Sequence, residues 1–276
     1  MSKYDEFLQD AIDLHVHIDL EFSLNAIRKR EPEWVWLPKA EAMGMRGVVL
    51  KSHWWPTANV VPYILASAQT NVALWSSVAL NITAGGPNPC IIEACAALGG
   101  KMVFLPTWSA RNDVERKGFS ARFKSYYNNH ARLENPNYYF LNERGKLIPL
   151  GHEIIECCRA HDLTLGMGHI SWQESLAFIE AAKDLNFSHR IVVNHVQSHI
   201  IAMPVDAMKR AGEMGAYLEA CANALAPGRM DSFELVQQFR QIGLHQVVLD
   251  SSFLEKSKGP PCKESDGDNF HYALGF

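Results

Sequence analysis

One stretch decides the fold of this chain: Ala11-Ile12-Asp13-Leu14-His15-Val16-His17-Ile18-Asp19. Apolar and polar residues alternate along it, which predicts a β-strand, because successive side chains of a strand point to opposite faces. One face is then wholly aliphatic, and the other carries four groups that bind a proton or a cation: Asp13, His15, His17 and Asp19. Two imidazoles on one face, flanked by carboxylates that can orient them, are typical of a metal site. The alternative for this stretch taken alone is an exposed strand whose histidines are merely solvated.

Seven further apolar runs follow, and helical patterns separate most of them. The strands predicted from these runs are 47–53, 72–80, 101–106, 163–169, 190–195, 216–221 and 246–250. Short apolar strands that alternate with helices predict a parallel sheet, and eight strands is the number that closes a barrel. An open doubly wound sheet is the alternative, but the glycine-rich first turn that usually marks it is absent. We therefore expect residues 1–276 to form a single domain, a (β/α)8 TIM barrel of the α/β class.

The alternation stops after the fourth predicted strand, where residues 109–150 form a long polar and aromatic insertion. A hairpin is predicted within it, with 138–141 against 146–148. The insertion is rich in basic residues: Arg111, Arg116, Lys117, Arg122, Lys124, Arg132, Arg144 and Lys146. We interpret it as a lid that could hold the carboxylate or phosphate of an anionic substrate, or as a solvated loop or subunit contact.

The tail, residues 251–276, is irregular and shows no convincing eighth helix. A neighbouring subunit could close the barrel there, as could residues outside this sequence, and we expect a homo-oligomer. With 47% apolar residues, 20% charged residues and a net charge of −4, the composition is that of a soluble globular protein. It gives no sign of a nucleic-acid partner. The chain has no signal-like or membrane-spanning apolar run, and its six cysteines lack a framework spacing, so we expect a cytoplasmic protein with reduced thiols and no membrane partner.

Side chains that can bind a metal or move a proton gather at one end of the predicted strands. They are His15, His17, Lys51, His53, His169, Asn194, His195, Glu219 and Asp250. Each lies at the C-terminal end of its strand, and this is the face of a TIM barrel where enzymes place their active sites. The sequence therefore predicts a functional site at this face.

The ordered set of strand-end motifs resembles the metal constellation of the amidohydrolase superfamily, whose members are metal-dependent hydrolases with TIM-barrel folds. The motifs are Asp13-x-His15-x-His17, Gly168-His169, Asn194-His195 and Leu249-Asp250. The resemblance spans residues 11–253 and implies that four residues ligate a divalent metal: His15, His17, His169 and Asp250. It implies that His195 is a second-site ligand or an acid–base group. Three imidazoles and a carboxylate suit zinc, or manganese and iron less selectively.

Such a metal lowers the pKa of its bound water towards about 7 and so makes a nucleophile at neutral pH. The resemblance implies that Asp250 is the general base, and that His195 or Lys51 helps to polarise the attacked oxygen. The expected activity is hydrolysis of a small amide, ester, lactone or related carbonyl substrate, which could be anionic.

The fourth predicted strand departs from the two-metal members of this superfamily. It ends Leu105-Pro106-Thr107-Trp108, without the bridging carboxylated lysine or glutamate of those members, so we expect one metal rather than two. Lys51 or Glu219 is the alternative bridge. The superfamily's non-oxidative decarboxylases also lack a ligand on this strand, so decarboxylation remains an alternative reaction.

Asp13-Leu14-His15-Val16-His17 is followed by a predicted helix, by Gly44-Met45-Arg46-Gly47 and by an apolar strand that ends in His53. This opening resembles that of the histidinol-phosphatase-like phosphoesterases, which gives a third candidate activity. That family would need an acidic residue before His53, a Glu on the third strand and an Asp-x-His near the end. This chain has Ser52, no Glu in residues 72–81, and Asp250-Ser251-Ser252. The later motifs therefore do not match.

Overall fold

The computed structural model describes residues 8–18, 32–127, 130, 133, 136–221 and 230–250. Its strands follow one another in a single sheet in the order β1 to β8, and every neighbouring pair is parallel. The strands are β1 (Ile12–His17), β2 (Gly47–Lys51), β3 (Ala73–Ala79), β4 (Met102–Phe104), β5 (Thr164–Gly166), β6 (Ile191–Val193), β7 (Tyr217–Cys221) and β8 (Val247–Asp250). Because β1 and β8 also lie in contact, the sheet forms a nearly closed barrel. The predicted (β/α)8 architecture is confirmed.

Helices connect successive strands over the described residues. They are α1 (Glu33–Ala42), α2 (Val61–Ala68), α3 (Pro89–Ala97), α4 (Arg111–Glu115), α5 (Phe119–Tyr127), α6 (Pro149–Ala160), α7 (Trp172–Asp184), α8 (Val205–Glu213) and α9 (Ser232–Ile242). Most packed apolar residues lie between this helical layer and the sheet. No helix in the described part of the chain is both long and apolar enough to span a membrane.

A small apolar cluster fills the inside of the barrel and forms the floor of the site. It consists of Val49, Ala79, Met102, Phe104 and Val192. The Phe104 ring lies 5.1 Å from the ring of His15 and 4.3 Å from Lys51 Nζ. The barrel core therefore supports two of the predicted site residues from below.

The predicted insertion is present, and two of its elements are the helices α4 and α5. The predicted hairpin is confirmed as a tight turn with one antiparallel bridge, Leu141 to Leu147, rather than as two regular strands. Its register is set by Asn142 N, which donates to Lys146 O at 2.9 Å. Glu174, in the capping box at the start of α7, accepts a hydrogen bond from Phe140 N at 2.9 Å, which ties the turn to the barrel.

Five of the predicted strands, β2 to β6, end one to three residues earlier than expected, and the ends of β5 and β6 bear most directly on the site. β5 stops at Gly166 and β6 at Val193, so His169 and His195 lie in the turns that follow. Gly168 has φ +57°, and a Cβ there would lie 2.3 Å from Leu105 O, so the backbone admits only glycine.

Several predictions fall outside the described residues, namely those for Asp19, Arg132, Cys262 and the tail 251–276. The side chain of Arg122 is likewise not described. The other five cysteines are free thiols, as expected.

Candidate metal centre

The two histidines of β1 point their Nε2 atoms at one place. His15 and His17 are both buried, and their Nε2 atoms lie 3.2 Å apart. Two nitrogen ligands at about 2.1 Å from one tetrahedral zinc ion lie roughly 3.4 Å apart. The observed separation therefore fits two ligands of a single cation.

Glu219 of β7 orients His15 from behind. Its buried carboxylate lies 3.1 Å from His15 Nδ1 and accepts hydrogen bonds from Asn194 Nδ2 at 2.6 Å and from His195 N at 3.2 Å. Because an ionised carboxylate can only accept hydrogen bonds, the proton of the His15 ring lies on Nδ1. The other ring nitrogen, Nε2, then carries a free lone pair. A carboxylate–histidine pair of this kind is what holds metal-ligating imidazoles in place.

His169 has a carboxylate partner too, and this one comes from the insertion. His169 Nδ1 lies 2.7 Å from Asp113 Oδ2, while its buried Nε2 has no hydrogen-bond partner among the residues that the structure describes. Asp113 itself is held by the start of α5, where Phe119 N and Ser120 N donate to its two oxygens at 3.1 Å and 2.7 Å. An orphaned, buried imidazole nitrogen with its tautomer fixed from the other side is suited to bind a cation.

His15 and His169 remain neutral at physiological pH, which is the form that binds metals. Burial and the nearby charge of Lys51 lower the pKa of His15 to about 3. Burial lowers the pKa of His169 to about 4, against the opposing effect of Asp113.

His195 and Asp250 complete the carboxyl-terminal side of the barrel mouth. The His195 ring centroid lies 4.8 Å from that of His15 and 5.6 Å from that of His169, and its Nδ1 lies 3.0 Å from Glu219 Oε1. Asp250, at the end of β8, is buried beside Glu219 and Cys221, with donor atoms of the three within 4.8 Å of one another. Burial and the neighbouring Glu219 carboxylate raise the pKa of Asp250 well above its usual value. Two adjacent buried carboxylates are stabilised by a cation.

Lys51 reaches the same place from β2. Its buried Nζ lies 2.7 Å from His15 Nε2, the atom that also faces His17. The ammonium therefore donates to the lone pair that would face a metal. A cation bound there would require the Lys51 side chain to turn away from His15, which its flexible four-carbon stem permits.

His53 adds a further imidazole to the candidate site. The sequence predicted that it lies at a strand end, but it was not among the expected metal ligands. Its ring centroid lies 4.6 Å from that of His17, and its Nδ1 lies 2.8 Å from Thr107 Oγ1. Asn81 Nδ2 donates to the same hydroxyl oxygen at 2.7 Å, which leaves the hydroxyl hydrogen and one lone pair of that oxygen for His53. In the tautomer whose Nδ1 accepts from the hydroxyl, the ring proton lies on Nε2, which makes this atom a donor.

The structure brings all the predicted site residues to one end of the barrel: His15, His17, Lys51, His169, His195 and Asp250. Sequence reasoning placed Glu219 with the other strand-end residues but gave it only the role of an alternative bridge, and it missed the contribution of Asp113 and Cys221. Asp113 carries no strand-end signal, because it lies in the insertion.

The sequence was also compared with known proteins. Residues 10–219 match one protein-family model, described as a family of unknown function (DUF6282). The match includes the histidines of the site and ends at Glu219, before Asp250. Among curated proteins, none matches this sequence.

Solved structures with a similar fold include an amidohydrolase from Pseudomonas aeruginosa, with a TM-score of 0.52 and 12% identity over 94% of this chain and 79% of that one. A protein assigned as a 2-pyrone-4,6-dicarboxylic acid hydrolase from Pseudomonas putida has a TM-score of 0.46 and 14% identity, over 97% and 91% of the two chains. The probable dipeptidase PvdM from Pseudomonas aeruginosa has a TM-score of 0.47 and 12% identity, over 91% and 85%. The likeness to the first structure confirms the predicted barrel fold.

Proposed function

Because the chain belongs to a family of unknown function (DUF6282), we propose its function from the site itself: metal-dependent hydrolysis of a small amide, ester, lactone or related carbonyl substrate. One observation carries this proposal. The Nε2 atoms of His15 and His17 lie 3.2 Å apart, and within the described part of the chain the buried Nε2 of His169 has no hydrogen-bond partner. His15 and His169 are each oriented by a carboxylate on the opposite ring nitrogen, as metal ligands are.

The proposed ligands of one divalent cation are His15, His17, His169 and Asp250. Zinc suits this set best, and manganese or iron is the alternative. When bound, such a cation lowers the pKa of a coordinated water towards about 7 and so supplies a nucleophile at neutral pH. His195 lies within reach of the same place, as a second ligand or an acid–base group.

The remaining steps belong to side chains around the ligands. Asp250 takes the proton of the attacking water on a carboxylate oxygen and passes it to the leaving group. Lys51, turned away from His15, and the His53 Nε2–H are two donors for the negative charge that develops on the attacked oxygen. Both are buried, so water does not screen this interaction.

The wall of the site indicates the kind of substrate. Phe119 of α5 packs its ring 5.4 Å from the ring of His169 and 5.2 Å from that of His53, and Phe123 lies 5.3 Å from His53. The insertion therefore supplies an apolar wall over the histidines, in keeping with a lid. Beside the Lys51 ammonium, such a wall suits a small substrate with an apolar part and an anionic group.

Metal analysis of chelator-treated and zinc-reconstituted protein tests the proposal. We expect the variants His17→Ala and Asp250→Asn to lose bound zinc, and with it turnover on a panel of amides, esters and lactones. The exposed His152 of α6 offers a matched control, because His152→Ala removes an imidazole without touching the site. If both site variants keep the metal content of the wild type, the proposal fails.

Decarboxylation is the second candidate, and one feature of β4 favours it. The segment after β4, Leu105-Pro106-Thr107-Trp108, holds no lysine or glutamate that could bridge two metals, and its Thr107 hydroxyl lies 2.8 Å from His53 Nδ1. The superfamily's non-oxidative decarboxylases also lack a ligand on this strand. Release of CO₂ from a panel of small carboxylic acids, without hydrolysis of the amide and ester panel, would identify this reaction. A phosphoesterase has less support, because Ser52 Oγ accepts hydrogen bonds from Trp54 N and Trp55 N and so serves the turn after β2.

A further inference from the structure

A second group of metal-binding side chains lies outside the barrel, between the neighbouring helices α3 and α6. It consists of Glu93 of α3, Cys157 of α6 and His161, the C-cap residue of α6. One donor atom from each of the three lies within 4.8 Å of the others. Glu93 and His161 are exposed and Cys157 is half-buried, so a cation could reach the group from solvent.

The helices hold these side chains together. Cys157 and His161 are four residues apart and so lie on the same face of α6. α3 packs against that face, with Pro89 O 3.8 Å from Cys157 Sγ. Cys90 lies three residues before Glu93 on α3, which places a second thiol on the side that carries Glu93.

The electrostatics of the group suits a cation. Burial raises the pKa of the Cys157 thiol, and the nearby Glu93 carboxylate raises it further, because its negative charge opposes the thiolate. The same carboxylate attracts a metal ion, and a bound metal ion would stabilise the thiolate instead. His161 lies at the C-terminal end of α6, where the helix dipole also favours positive charge.

We propose that α3 and α6 form a surface binding site for zinc or a similarly thiophilic divalent cation, with Glu93, Cys157 and His161 as its ligands. Thiolate, imidazole and carboxylate are the donors that zinc takes in proteins. With Zn–S and Zn–N distances of about 2.3 and 2.1 Å, donor atoms lie roughly 3.6 Å apart. Rotation of the exposed Glu93 and His161 side chains closes the remaining gap, and Cys90 is within reach of the fourth position. A cation there would join two helices of the outer layer.

Cysteine alkylation of the chelator-treated full-length protein tests this site. Each cysteine is followed by peptide mass spectrometry during reaction with iodoacetamide, with and without zinc. Because the free thiolate is the nucleophile, we expect zinc to slow alkylation of Cys157 by about tenfold or more. Glu93→Gln and His161→Ala should each remove most of this protection, whereas His152→Ala, an exposed change on the same helix, should keep it.

The variant His17→Ala distinguishes this site from the barrel site. In this variant, zinc should still protect Cys157 from alkylation. The two proposals can therefore fail independently. If zinc leaves the alkylation rate of Cys157 unchanged, or slows it equally in His161→Ala, the three side chains are ordinary solvated residues of two helices and the site does not exist.

Discussion

Asp113 of the insertion lies 2.7 Å from Nδ1 of His169, a residue of the barrel 56 positions further along the chain. α4 carries Asp113, and the backbone of α5 fixes its carboxylate from the other side. Asn112 strengthens the same junction, because its Nδ2 donates to His169 O at 3.0 Å and to Ile200 O at 2.9 Å. The insertion is therefore attached to the proposed metal centre itself, and not only to the rim of the barrel.

We expect Asp113→Asn to weaken zinc binding by about 10- to 100-fold, because the His169 ring loses the charged acceptor that fixes its tautomer. Asp113→Ala should weaken binding at least as much and also free the start of α5. The measurement is the dissociation constant from competition with a chromogenic chelator. Glu115→Gln is the control, because Glu115 is an exposed acid on the same helix. Equal affinities for Asp113→Asn and Glu115→Gln would show that Asp113 does not position a ligand.

Glu219 is expected to matter for both stability and metal content. Its buried carboxylate lies within hydrogen-bonding distance of the rings of His15 and His195 and accepts from Asn194. Glu219→Gln replaces one acceptor oxygen by a donor that faces other donors, so we expect a loss of about 3 kcal/mol in the free energy of unfolding. Urea unfolding and metal analysis measure the two effects. Glu213→Gln, an exposed change on α8, should alter neither. Wild-type metal content in a folded Glu219→Gln protein would contradict the role proposed for Glu219.

The turn that carries His169 depends on Gly168. In Gly168→Ala the new Cβ would lie 2.3 Å from Leu105 O at a φ of +57°, so the turn must move. Gly145 offers a matched control, since its φ is +69° and an added Cβ would meet nothing within 4 Å. Positive φ alone costs roughly 1–2 kcal/mol for a residue with a Cβ. We expect Gly145→Ala to lose about that much stability and to keep its metal, and Gly168→Ala to lose more stability and to bind metal weakly. Thermal unfolding and metal analysis of Gly145→Ala and Gly168→Ala measure these effects. A loss of metal in Gly168→Ala alone would indicate displacement of His169 rather than backbone strain.

The sequence was sufficient to predict the barrel and the end of it at which the candidate site residues gather, because both follow from local patterns. The alternation of apolar and polar residues in β1 predicted that His15 and His17 share one face of the strand. The polar residues that end the other apolar runs predicted that the remaining site residues lie at the C-terminal ends of their strands. The partners of these residues were harder to predict. Asp113 approaches His169 only because the insertion folds back over the barrel. No helical or strand periodicity in the sequence predicts this contact. His169 and His195 lie in turns whose backbone conformations decide where their rings point.

The role of His53 can be tested through the Thr107 hydroxyl that it contacts. A histidine at a strand end could be a ligand or a donor, and the proposed donor role places the ring proton on Nε2, with Nδ1 accepting from Thr107 Oγ1 at 2.8 Å. If His53 is a donor to the substrate, Thr107→Val should reduce kcat/KM on the best substrate by about tenfold or more, because the ring proton is no longer held on Nε2. Zinc content should stay at the wild-type level. Thr164→Val is the control, because Thr164 begins β5 at the end of the barrel away from the site. It should change neither kcat/KM nor zinc content. Loss of zinc in Thr107→Val, with Thr164→Val unaffected, would instead identify His53 as a ligand of the metal.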